Sequence, residues 1–172
     1  ERREELTTEG GLDVERLSSR LKPMIERLRG VKAKISLFVE PQAEQIEAAA
    51  RLGVDSVELH TGTYANLADQ DRLGAKAKDL RIKFSVLTRA ELDKLIAAAR
   101  LARSLGLKVN AGHGLNYHNV GPVAAIAGLS WLHIGHSIVA RATLVGIARA
   151  VREMKSLIQR FASRPYMRHL AR

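Results

Sequence analysis

Four times along this chain a short apolar run ends in a cluster of polar residues and gives way to a helical pattern. The runs occupy residues 34–39, 54–60, 107–110 and 130–134. They end in Glu40-Pro41, Glu58-Leu59-His60-Thr61-Gly62, Asn110-Ala111-Gly112-His113-Gly114 and Gly135-His136-Ser137. Strands that alternate with helices need crossover connections, and crossovers make a sheet parallel. In parallel β/α folds, closed or open, ligands meet the protein at the carboxyl ends of the strands. The polar clusters therefore predict one functional edge, assembled from four separate places in the chain.

The helices between the strands carry their own signals. Pro41 suits the first turn of a helix running to Leu52, with Gly53 as its stop. Thr88-Arg89-Ala90-Glu91 has the form of a capping box, and Leu92, Leu95, Ile96, Ala99 and Leu105 form an apolar face behind it. Val14, Leu17, Leu21, Met24, Ile25 and Leu28 mark an earlier amphipathic helix. A last helix is expected to carry Leu144, Ile147, Val151, Met154, Leu157, Ile158 and Phe161 on one stripe. Between Asn66 and Leu87 the pattern loosens, and residues 66–87 read as an insertion. Within it Leu80, Ile82, Phe84 and Val86 alternate with polar residues, as in a short extra strand.

A chain of 172 residues fits one domain with a real core. No apolar run approaches the roughly 18–20 residues of a membrane span. The absence of cysteine excludes disulfides, thiolate metal sites and a cysteine nucleophile, and fits a cytoplasmic location. The net charge of +10 raises the question of nucleic acid. Between Arg141 and Arg172, however, eight Lys or Arg stand against the single acid Glu153. That excess belongs to one helix and a basic tail over residues 162–172, with no interleaved aromatic platform. A solvated helix face is the reading taken, with neither nucleic acid nor membrane as a partner.

Gly135-His136-Ser137 stands where a strand gives way to a helix, and Gly112-His113-Gly114 repeats the arrangement one strand earlier. Glycine admits close approach of backbone to ligand, and a helix amino terminus offers unpaired N–H groups to an anion, most often phosphate. His113, flanked by glycines, is expected to project into the site as a proton-transfer group. Glu58 and His60, two apart on one strand, share a face and read as a carboxylate beside an imidazole. No compact metal-ligand spacing is present among the histidines, and no strand end carries a lysine suited to a Schiff base. Neither a metal nor a cofactor is expected.

Five ordered blocks together resemble the pyridoxine 5′-phosphate synthase family: Glu4-Glu5-Leu6-Thr7-Thr8-Glu9-Gly10-Gly11-Leu12-Asp13-Val14, Ser36-Leu37-Phe38-Val39, Val57-Glu58-Leu59-His60-Thr61-Gly62, VNAGHGLNYHNV at 109–120, and Ile134-Gly135-His136-Ser137-Ile138. The resemblance implies a TIM-type (β/α) barrel that assembles as an octamer. It implies condensation of 3-amino-2-oxopropyl phosphate with 1-deoxy-D-xylulose 5-phosphate, the ring-closing step of a vitamin B6 route. It further implies that Thr7 contacts the deoxyxylulose phosphate, that Glu58 stabilises charge and that His113 donates a proton. Gly114, Gly135 and His136 would hold the phosphate of the aminoketone.

Three departures accompany it. His133 stands where the family usually has asparagine, and the 66–87 stretch is longer than the usual connection. The family's first four strands have no counterpart, so the expectation is about half a barrel, strands five to eight, in a single domain (residues 1–172) truncated at its amino terminus. Two alternatives stay open on the sequence: a metal-dependent phosphosugar epimerase or aldolase barrel with metal at Glu58 and His60, and a catalytically silent half-barrel that self-associates.

Overall fold

The computed structural model describes residues 10–74 and 84–163. Helix α1 (Val14–Gly30) leads into strand β1 (Ser36–Val39), helix α2 (Ala43–Leu52) and strand β2 (Ser56–His60). Helices α3 (Gly62–Gly74) and α4 (Val86–Ser104) precede strand β3 (Lys108–Gly112). A short helix α5 (Val120–Ala124), strand β4 (Leu129–His133) and helices α6 (His136–Val145) and α7 (Ile147–Ala162) complete the described chain. The strands lie in sequence order, β1-β2-β3-β4, and every pair is parallel.

Strand alternation decides what the sheet buries. Val39, Val57, Leu59, Val109 and Ala111 are each at most 1% exposed and form the face covered by helices, together with Ile46 of α2 and Leu95 of α4. Full burial of a Val, Leu or Ile stabilises by roughly 1.5–3 kcal/mol, so this face supplies much of the driving force. The opposite face follows from the register, in which Phe38, Glu58, Asn110 and Trp131 stand level. Two residues further along the strands, His60, Gly112 and His133 stand level in turn. Between β3 and β4 the pairing skips Ser130, a bulge that brings Trp131 opposite Asn110.

For half a barrel the sequence leaves open whether Ile35 and Leu37 or their strand neighbours form the inward layer. The structure gives that layer to their neighbours. Leu37 pairs with Val57 and packs with Ile35 against the helix-covered core, which leaves Phe38 and the polar Glu58 and Asn110 on the other face. A one-residue change of parity exchanges the two faces of a strand, and here it makes the uncovered face largely polar.

Several helix boundaries also differ from the sequence patterns. Helix α2 starts at Ala43 with Gln42 as its N-cap, two residues beyond Pro41, and ends as expected at Gly53 in the left-handed region (φ 70°). Helix α4 starts three residues before the Thr88 box, because Ser85 is the cap and its hydroxyl accepts from the Thr88 N–H at 3.2 Å. Thr88 instead donates its own hydroxyl to Asp71 at 2.6 Å, joining α4 to α3. Residues 66–74 continue α3 and Val86 opens α4; the rest of the alternating stretch, residues 75–83, lies outside the described residues. The single last helix is two helices, since Gly146 (φ 79°) breaks the chain between α6 and α7.

Candidate active site

A cleft of about 1300 Å³ opens at the carboxyl ends of the strands. Its lining includes Phe38, Glu58, His113, Gly114, Gly135 and His136. Five sequence-predicted residues therefore meet in one place, drawn from β2, from the segment after β3 and from the start of α6. Thr7 lies outside the described residues.

His113 follows β3 directly and adopts φ 82°, a left-handed conformation that a residue with a Cβ holds only when its surroundings impose it. Such a residue costs roughly 1–3 kcal/mol and is characteristic of functional segments. The imposing partner is Thr61, fully buried at the end of β2. Its hydroxyl stands 2.7 Å from the Gly112 carbonyl oxygen and 2.5 Å from that of His113, so one proton is shared between two acceptors. The peptide after β3 is thereby fixed, and the imidazole is left exposed in the cleft.

Glu58 and His60 share a face as expected but do not pair with each other. Glu58 Oε2 instead meets His133 Nδ1 at 2.6 Å. The two side chains come from β2 and β4, with β3 between them, and they join over Gly112. A Cβ on Gly112 would stand 2.4 Å from Glu58 Oε1 and 2.8 Å from the His133 carbonyl oxygen. Only glycine leaves that passage open. His60, pointing the same way one level further out, bonds through Nδ1 to Glu40 Oε1 at 2.6 Å.

After His113 the chain is organised by asparagines. Asn119 Oδ1 accepts from the Asn116 N–H at 2.8 Å, and Asn116 Oδ1 accepts from the His118 N–H at 2.8 Å. Asn116 Nδ2 donates to Asp69 of α3 at 2.8 Å, and the Tyr64 hydroxyl donates to the Asn119 carbonyl at 2.9 Å. The Asn-rich spelling of this segment therefore builds its shape and needs no chemical role. Ser137 at the start of α6 donates to the Leu115 carbonyl at 2.9 Å, which holds the two Gly-His segments beside one another.

Helix α6 begins with Gly135 as N-cap, and no side chain caps it. The free N–H groups of a first helical turn favour negative charge. Space around Gly135 is open, since a Cβ there would meet nothing within 4 Å. The arrangement can receive a phosphate between two strand ends while an exposed imidazole stands beside it. Among the described residues no three His, Asp or Glu side chains come together as metal ligands would.

The far wall of the cleft is held by an ion triad. Arg141 of α6 and Arg149 of α7 approach Glu153 at 2.9 and 2.8 Å. Hydrogen bonds from Arg141 and then Arg149 hold the Glu153 carboxyl down to about 2. Tyr117, whose hydroxyl donates to the Ala150 carbonyl at 2.8 Å, titrates higher than an ordinary phenol, first through burial and then through the nearby Glu153 charge. Because the folded Glu153 value lies below the unfolded one, the triad's stabilisation is complete above the ordinary carboxylate range and is lost as pH falls toward 2. Thermal midpoints measured between pH 6 and 2 are expected to fall less steeply in Glu153→Gln than in the parent chain. Identical slopes would remove the triad from the account.

Parallel β/α units with a Gly-His pair at consecutive strand ends define a β/α scaffold whose polar edge, open to an anion, lies at the carboxyl ends of the strands. The chain belongs to the family of the pyridoxal phosphate biosynthesis protein PdxJ, whose family model matches residues 1–160. Similar relatives include the pyridoxine 5′-phosphate synthase of Parasynechococcus marenigrum (strain WH8102), 50% identical over 159 residues, which are 92% of this chain and 57% of the relative. The enzyme of the same description from Synechococcus sp. (strain JA-2-3B'a(2-13)) is 50% identical over 155 residues, 90% of this chain and 59% of the relative. That of Thermodesulfovibrio yellowstonii is 47% identical over 159 residues, 92% of this chain and 59% of the relative. The chain thus spans less than three fifths of the length of these relatives.

Reading the sequence residue by residue missed the partners. Glu40 carried no role in that reading, Gly112 stood only for a tight Gly-His turn and His133 only for a departure from the family, although the parity of the strands places His60, Gly112 and His133 level. Arg141 was counted only as part of a basic helix, yet it lines the cleft.

Proposed function

We propose that this chain is the carboxyl-terminal part of a pyridoxine 5′-phosphate synthase, comprising strands five to eight of a TIM-type barrel. The reaction is condensation of 3-amino-2-oxopropyl phosphate with 1-deoxy-D-xylulose 5-phosphate, giving pyridoxine 5′-phosphate, inorganic phosphate and water. The observation that carries this reading is the convergence of Glu58, His113, Gly114, Gly135 and His136 on one cleft. The aminoketone phosphate sits against the Gly114 backbone and the start of α6 at Gly135 and His136. His113 donates a proton to departing oxygen during dehydration or phosphate loss, and Glu58 stabilises the positive charge that develops on nitrogen. Amine addition, dehydration and aldol-type closure need proton transfer and charge stabilisation, and these groups provide both. Thr7 is assigned to the deoxyxylulose phosphate on resemblance alone. A cytoplasmic setting fits the absence of cysteine.

Self-association belongs to the same proposal. Among the described residues no strand pairs with the outer edge of β1 or of β4, where only the Leu12 N–H donates to the Phe38 carbonyl at 2.8 Å, and α6 contributes no buried residue. Trp131 is 70% exposed and Leu144 79% exposed on that side of the molecule. Unpaired strand edges and clustered exposed apolar groups favour association.

Inorganic phosphate titrated into the chain and followed by amide NMR tests the site. Shifts are expected at Gly114, Gly135 and His136. Shifts confined to residues 160–172 would assign the anion to the basic tail and sink the reading.

A further inference from the structure

The mechanism above leaves one buried imidazole unused. The His60 side chain is 10% exposed, and its Nε2 has no hydrogen-bond partner among the described residues. A buried nitrogen left unpaired is uncommon and asks for a reason. Its other nitrogen is committed: Nδ1 stands 2.6 Å from Glu40 Oε1, the oxygen that also accepts from the Gly11 N–H at 2.9 Å. A carboxylate accepts but cannot donate, so it keeps a proton on Nδ1 and leaves the neutral ring a lone pair on Nε2.

The ring that carries that lone pair packs against His113. The two rings lie 4.8 Å apart, centre to centre, at 67°. Between them is Gly62, where a Cβ would stand 2.5 Å from His60 Nε2 and 3.1 Å from His113 Cδ2. Glycine at the start of α3 thus keeps free of a side chain the gap that His60 Nε2 and the carbon edge of His113 both border. Phe38 of β1 stands 5.2 Å from the His60 ring and 6.3 Å from the His113 ring, adding a group that offers no hydrogen bond.

We propose that His60, backed by Glu40, is a positioning residue that acts through His113, holding its ring and favouring its protonated form. The C–H edge of an imidazolium carries more positive charge than that of a neutral ring, so an adjacent lone pair favours the charged state. A proton donor must begin in that state. Other ionisable groups lining the same cleft are Glu58 of β2, Asp69 of α3, His118, His133 of β4, and His136 and Arg141 of α6. None of them is fixed by Glu40. The proposal rests on the reading of His113 as the proton donor, and it adds a reason for the Glu40–His60 pair.

Imidazole nitrogen NMR on the 172-residue chain at neutral pH tests it without any substrate. In the parent chain His60 is expected to carry its proton on Nδ1 and none on Nε2. In His60→Phe, which keeps a ring but puts C–H in place of the lone pair, the ratio of protonated to neutral His113 is expected to fall about threefold, a modest instance of neighbour-controlled protonation. Glu40→Gln is expected to release the His60 tautomer and to lower the same ratio. A proton on Nε2 in the parent chain overturns the proposal, and that measurement needs no variant to fold. An unchanged His113 charge state in a His60→Phe protein of unchanged thermal midpoint also overturns it, by reducing the pair to packing. Neither result depends on product formation, so a failed synthase assay leaves this test intact.

Discussion

In a complete synthase carrying residues 1–172, replacing His113 by asparagine is expected to lower turnover by about 10²–10⁴-fold, the usual scale for losing a general acid. The effect should fall on kcat and leave KM for the aminoketone phosphate nearly unchanged. On the proposed reading the phosphate lies against backbone around Gly114 and the start of α6, and neither depends on the imidazole. Stability should change little or rise slightly, because asparagine tolerates the left-handed conformation that His113 adopts at φ 82° better than most side chains do. Turnover and thermal midpoint measured on the same sample separate the cases. Near-normal turnover would remove His113 from the chemistry, and a lost fold would mean that its ring is structural.

The second large effect concerns the chain by itself. A closed barrel has no edges, whereas among the described residues no strand pairs with the outer edge of β1 or of β4. The helix beside β4 buries none of its ten residues. Such a surface is expected to drive the isolated chain into oligomers at micromolar concentration. The face across which substrates would lie is walled on one side only, by Phe38, Glu58, Asn110 and Trp131. Product formation by the chain alone is therefore expected to be undetectable. Sedimentation and a pyridoxine 5′-phosphate assay on one sample address both points. A well-behaved monomer would contradict the edge argument, and measurable product would show that this part of the barrel suffices.

Much of this arrangement was legible in the sequence because parallel β/α architecture writes its functional edge in a repeated place. Each strand end announced itself by a change from apolar to polar residues, so His113, Gly114, Gly135 and His136 could be grouped before any geometry was known. What sequence reading lost was lateral. Spacing within one strand shows that Glu58 and His60 share a face, but it does not show which neighbour each one reaches. Glu58 crosses a whole strand to His133 because Gly112 leaves room, and His60 turns back to Glu40. Which parity of β1 faces inward stayed open for the same reason, and Ile35 and Leu37 prove to lie under the helices. Helix ends were lost where two signals competed. Ser85 and Thr88 are both plausible caps, and Asp71, distant in sequence, draws Thr88 into a tertiary bond.

His133 shows how a local difference can matter. Where the resembling family usually carries asparagine, this chain places an imidazole 2.6 Å from the carboxylate assigned to charge stabilisation. The Glu58 carboxylate is thereby held at a defined place above Gly112, in the wall of the cleft that also contains His113.

The most direct test of the central claim is complementation. The chain would be fused in place of the segment it matches in the Parasynechococcus marenigrum relative, and pyridoxine 5′-phosphate would be measured from the two phosphorylated substrates. The account predicts product from the fusion and its loss, to within the limits of a general-acid deletion, in the same fusion carrying His113→Asn. A folded fusion that forms no product, or one whose output is indifferent to His113, would contradict it.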